Sequence, residues 1–160
     1  MWVLQRRGKL LTGAARGEQW SSRMASNQSG DHDQTMGNEP QDVIRQVLAG
    51  LDQGDANQVM DAYAADAVGI DEVSRGWLRG HDQIAAYTAA LLSELSSCTS
   101  ELSEVHETVI GEVAVVTGIL QQEYTLGGEA QSVRMPATFV LRRDGGSWRV
   151  LLFHALPIPD

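Results

Sequence analysis

The sequence predicts an α+β fold, with three helices followed by strands that form a mainly antiparallel sheet. Three observations carry this expectation. Apolar residues recur at helical spacing in two stretches, Ile44, Val47, Leu48, Leu51 and Ile84, Tyr87, Thr88, Leu91, Leu92, Leu95. From Cys98 onward the chain turns to segments rich in β-branched, aliphatic and aromatic residues. Glycines at Gly111, Gly127-Gly128 and Gly145-Gly146 punctuate those segments as hairpin turns do. Helices grouped before strands put the helices on one face of an antiparallel sheet.

The elements follow in order. Gln41 to Gln53 forms the first helix, ended by Gly54 in the position a helix-terminating glycine takes. Asp55 caps a second helix, with Gln58 in the capping-box position and Val59, Met60 and Tyr63 facing inward. This helix gives way near Asp66 to a short apolar segment, Ala67 to Ile70, then Asp71-Glu72. A loop from Val73 to Gly80 contains Trp77, and the third helix starts at Gly80-His81-Asp82. Four strands are expected over Cys98–Ile110, Val113–Tyr124, Val133–Arg142 and Trp148–Ala155. Pro136 cannot donate to a sheet ladder, so it marks a bulge or an edge. The last strand is apolar on both faces and is expected to lie centrally. Simple alternation puts Trp148, Val150, Leu152 and His154 on one face, and Arg149, Leu151, Phe153 and Ala155 on the other.

The 160 residues suit one domain with a proper core. No apolar run approaches the roughly 18 residues that span a bilayer, so no membrane partner is expected. The net charge is −9, and the first 30 residues carry a surplus of four positive charges, which leaves −13 for the rest. A body that acidic repels nucleic acid and anionic lipid surfaces. The single cysteine, Cys98, excludes an internal disulfide and favours a reducing, cytoplasmic setting. Residues 1–39 mix Arg, Gly, Ser and Asn without periodicity. They are expected to be a disordered tail, or the product of a start placed too early, since Met24 and Met36 are alternative starts. A targeting segment is the other reading, though the stretch lacks the apolar centre of a secretory signal.

Several runs in this order resemble the nuclear transport factor 2-like superfamily. They are Gln53-Gly54-Asp55, Tyr63 to Val68, Arg79-Gly80-His81-Asp82-Gln83-Ile84, and Arg142 to Val150. The run from Trp148 to Pro157 is similar to the end of SnoaL-like proteins of the SgcJ/EcaC type. Val109 to Glu112 and Arg142 to Gly145 are similar to the association domain of calmodulin-dependent kinase II. The resemblance covers about residues 40–160 and implies a cone-shaped α+β barrel with a pocket between the sheet and the helices. It also implies a homodimer paired through the sheet.

Asp71 and His154 are the candidate catalytic residues; Tyr63, Trp77, Tyr87, Arg134 and Thr138 are the candidate ligand-binding residues. Asp71 falls where the run Tyr63 to Asp71 matches the catalytic aspartate pattern of ketosteroid isomerase, a member of the superfamily. A carboxylate in a partly apolar pocket can move a proton. The plainer reading is a solvated aspartate ending a short strand. The positions matching that enzyme's oxyanion hole are Val47 and Thr138. Valine donates no hydrogen bond, so ketosteroid isomerase activity is not expected. His154 reads as a base, as a donor to a ligand carboxylate, or as a packed histidine. Arg134 reads as an anion anchor or as a solvated strand-end arginine, and Trp77 as a lid or as a packed loop residue. Tyr63 and Tyr87 lie on helical stripes and also suit the core. No pair of histidines has metal-ligand spacing, so no metal and no cofactor are expected. The function expected is binding of a small, largely hydrophobic molecule, with isomerase, cyclase or dehydratase chemistry open. A non-catalytic association module is the alternative.

Overall fold

The computed structural model describes residues 39–157. The expected tail over residues 1–39 therefore lies outside the described residues, apart from Glu39. The elements run α1 (Pro40–Gln53), α2 (Ala56–Asp61), β1 (Tyr63–Asp71), β2 (Leu78–Arg79), α3 (His81–Glu94), β3 (Leu95–Ile110), β4 (Val113–Leu126), β5 (Glu129–Asp144) and β6 (Ser147–Ala155). The six strands form one sheet in the order β2-β1-β6-β5-β4-β3, antiparallel except for the parallel β1–β6 pair. The expected α+β class stands, with the helices packed on one face of the sheet.

Proline at the first helical position starts α1, and Gly54 ends it with φ +71°. Asp55 caps α2, accepting from the backbone amides of Asn57 and Gln58. The Gln58 side chain does not close a capping box; its amide donates to the Gln46 carbonyl and ties α2 to α1. The second helix is shorter than the sequence suggests. It stops at Asp61, and Tyr63 opens β1. Val150 donates its amide to the Ala62 carbonyl, so pairing with β6 takes over before another helical turn can form.

The hairpin turns fall where the glycines predict. Gly127-Gly128 and Gly145-Gly146 each occupy the two centre positions of a turn, all with positive φ. Pro136 sits in an unbroken β4–β5 register, opposite Ile119. β6 ends at Ala155, opposite Ala137, so β5 is paired on one side only at Pro136. The edge reading holds there, and the bulge lies elsewhere.

That bulge is at Leu151. Val150 pairs with Leu141, but the next β5 residue, Val140, pairs with Leu152. An extra residue changes which side chains share a face beyond it. Residues directly opposite share a face, so Trp148, Val150, Phe153 and Ala155 lie with Phe139 and Leu141 on the helix-covered side. Leu152 and His154 lie with Val140 and Thr138 on the outer side. Simple alternation therefore fails for the second half of β6. The position of β6 is central, as expected. The core lies between this inner face and the helices; Ile44, Leu120, Met135, Phe139, Leu141 and Val150 are fully buried there. Each contributes roughly 1.5–3 kcal/mol by leaving water.

Candidate functional site

Between the inner face and the helices lies a cavity of about 80 Å³. Its wall is mostly apolar: Val47, Leu48 and Leu51 from α1, Leu91 from α3, and Phe139 and Phe153 from the sheet. The two phenylalanine rings stack with centroids 5.1 Å apart across β5 and β6.

The polar groups gather where β1 ends. Strand pairing stops at Asp71, and the chain turns through residues 72–74. This turn lets the consecutive residues Asp71 and Glu72 both line the cavity. Asp71 Oδ1 accepts from the backbone amides of Val73 (3.1 Å) and Ser74 (2.7 Å), and so fixes the turn. The Tyr87 hydroxyl lies 2.8 Å from both Asp71 oxygens. Oδ2 has no other partner among the described residues and keeps accepting capacity. Glu72 Oε1 accepts from the Tyr124 hydroxyl at 3.2 Å. The site is thus built on two carboxylate–tyrosine pairs supplied by β1, the following turn, α3 and β4.

Burial raises the Glu72 carboxyl above the usual carboxylate range, and the neighbouring Asp71 charge adds to the rise. Burial first, and then the same carboxylates, push the Tyr87 hydroxyl far up and the Tyr124 hydroxyl to about 12. Both tyrosines therefore keep their protons at physiological pH. Tyr63 is 7% exposed and lines the cavity; burial raises its hydroxyl too. That hydroxyl has no hydrogen-bond partner among the described residues. The Cys98 thiol, also on the wall, is pushed up to about 11 by burial, so it is a poor nucleophile.

Three of the seven candidate residues meet in this cavity: Tyr63, Asp71 and Tyr87. The other four lie elsewhere. Thr138 and His154 pair with each other across β5 and β6 on the outer face. Trp77 is 48% exposed and stacks on His154 with ring centroids 6.5 Å apart. Arg134 is exposed and pairs with Glu104 at 3.0 Å. The Leu151 bulge accounts for His154; Thr138 faces out by plain alternation on β5 between the buried Ala137 and Phe139. Glu72, Tyr124 and Gln122 were missed by sequence reasoning. A signal for the last two existed, since Leu120, Gln122 and Tyr124 alternate along β4 on the inner face.

The scaffold is thus a sheet covered on one face by helices, with a small, mostly apolar cavity between them. Residues 41–157 match the SnoaL-like domain family, and the chain belongs to it. Solved structures agree on the fold. A proposed dehydratase of the NTF2-like family from Streptomyces avermitilis is 20% identical, with a TM-score of 0.68 over 74% of this chain and 92% of the other. A proposed aromatic ring hydroxylase from Novosphingobium aromaticivorans is 19% identical, with a TM-score of 0.70 over 75% and 87%. A proposed calcium/calmodulin-dependent protein kinase II association domain from Xanthomonas campestris is 23% identical, with a TM-score of 0.65 over 74% and 84%. No curated protein matches the chain. The different names borne by three such similar structures show that the scaffold does not set the chemistry. No described helix is long and apolar enough to cross a membrane.

Proposed function

We propose that the cavity binds a small, largely hydrophobic molecule and moves a proton on it, as an isomerase, cyclase or dehydratase does without a cofactor. The observation that supports this is the convergence of Asp71, Glu72, Tyr87, Tyr124 and Tyr63 on one end of an otherwise apolar cavity. Asp71 Oδ2 is the base, because Oδ1 is committed to the turn. Tyr87 orients that carboxylate. Tyr63 donates to an oxygen of the ligand, since its own hydroxyl is otherwise unused. The volume of about 80 Å³ is well below the several hundred Å³ of a site for drug-sized ligands. It fits a compact molecule or one end of a longer one. The cytoplasmic placement expected from the single cysteine belongs to the same proposal.

A thermal-shift screen of the full chain against small neutral and charged molecules tests the reading. A ligand of the folded state raises the melting temperature by mass action. Asp71→Asn and Tyr87→Phe are expected to abolish exchange of an activated ligand C–H with deuterated solvent, followed by NMR, in variants that still unfold cooperatively. Undiminished exchange in Asp71→Asn overturns the role of Asp71.

The association-module reading has an observation of its own. Across the outer face, Thr108, Val115, Val140, Leu152 and Val68 stand opposite one another from β3 to β1 in one largely apolar row. Ile110 (71% exposed) and Val113 (37%) extend it. We propose that this face pairs with a second copy of the chain, which leaves the cavity free for a ligand.

A further inference from the structure

The polar end of the cavity accepts hydrogen bonds but has few left to give. The Tyr87 and Tyr124 hydroxyl protons are both directed at carboxylates. The Gln122 amide donates to Ser100 Oγ at 2.9 Å. What remains open is Asp71 Oδ2, the second oxygen of Glu72, the lone pairs of the tyrosine oxygens and a single donor, the Tyr63 hydroxyl. The two carboxylates are partly buried side by side, and no lysine, arginine or histidine lines the cavity. Among the described residues neither takes part in a salt bridge; the nearby Arg75 guanidinium bonds to the Glu72 backbone carbonyl, not to its carboxylate. Charges drawn out of water are ordinarily paired. The Tyr63 hydroxyl, on the same wall and without a hydrogen-bond partner among the described residues, offers the ligand a further polar contact.

We infer that the ligand carries a primary ammonium group, which docks against the Asp71–Glu72 pair with its short hydrocarbon part in the apolar cavity. An ammonium brings three donors and no acceptor, the complement of this acceptor array. Its charge relieves the repulsion between the two adjacent carboxylates. The rings of Tyr63, Tyr87 and Tyr124 add faces that attract a cation. A carboxylate or phosphate ligand meets two like charges and no counter-charge, so anions are rejected. This inference rests on the cavity's being a small-molecule site, as proposed above, and adds the ligand's charge.

The test compares n-butylammonium, 1-butanol and butyrate, which are alike in size and differ in charge. Binding to the full chain is followed by NMR through the amide shifts of cavity-lining residues. Butylammonium is expected to bind at least about tenfold more tightly than butanol, and butyrate not at all. Glu72→Gln, which removes the charge at nearly constant size, is expected to shrink that gap severalfold by weakening butylammonium more than butanol. Butanol or butyrate binding as well as butylammonium overturns the ammonium inference and leaves the small-molecule reading standing. No shift with any of the three overturns both. A preference for butylammonium that survives both Glu72→Gln and Asp71→Asn puts the cation outside this cavity and also overturns the inference.

Discussion

Asp71 and Glu72 are neighbours in the chain with different duties. Asp71 Oδ1 holds two backbone amides of the turn, so replacing Asp71 disturbs the local fold as well as any chemistry. The Glu72 carboxylate accepts from the Tyr124 hydroxyl, while burial first, and then the Asp71 charge, raise its carboxyl above 4.5. A carboxyl raised in the folded state binds more protons there than in the unfolded chain. Its favourable contribution is complete below pH 4.5 and is lost as pH rises through the raised value. Glu72→Gln is therefore expected to stabilise the unliganded protein at pH 7. The gain should vanish near pH 4, as followed by urea denaturation across pH. An equal gain at both pH values would show that the charge is not its source.

Two of the register shifts in the sheet have local consequences that can be tested. On β3, Ser103 pairs with Ile119 and His106 with Thr117, so one extra residue faces Gly118, and Glu104 takes φ +52°. A Cβ at Gly118 would lie 2.8 Å from the Ser103 carbonyl oxygen and 3.0 Å from Leu102 Cδ1. Backbone cannot yield there as a flexible side chain would. Gly118→Ala is expected to cost about 1–3 kcal/mol, read as a lower urea midpoint at unchanged slope. Gly76 is the control, because its added Cβ meets only the Ser74 carbonyl oxygen, at 3.8 Å. Gly76→Ala should be neutral or slightly stabilising. Equal losses at the two positions would show that the close approach at Gly118 does not matter. The second bulge, at Leu151, turns Phe153 into the cavity and His154 out to meet Trp77. A one-residue step thus separates a wall of the site from the outer surface.

At the scale of the whole molecule the sheet has two apolar faces with different fates. The helices cover one and leave a cavity at its end; the other is uncovered among the described residues. The pairing proposed for that outer face predicts a dimer in sedimentation velocity at micromolar concentration. Val140→Glu, placed mid-row between Val115 and Leu152, should convert it to a monomer whose cavity still binds ligand. A wild-type monomer overturns the pairing.

Much of this was legible in the linear order of residues. The stripes of α1 and α3, the glycine turns and the cap at Asp55 are local rules, set within a few residues, and they specified the α+β class. The same order named Tyr63, Asp71 and Tyr87 as candidates, but it put Tyr63 on the second helix; only the structure shows Tyr63 opening the strand that ends at Asp71. Tertiary structure alone decided the rest. The bulge that turns His154 away has no signature in β6 itself, since both of its faces are apolar and either would satisfy burial. The partnership of Glu72 with Tyr124 joins residues 52 positions apart. It exists only because the tertiary structure brings the end of β4, separated from β1 in the sheet by β6 and β5, to the turn after β1, and distances of that kind are set by packing, not by periodicity.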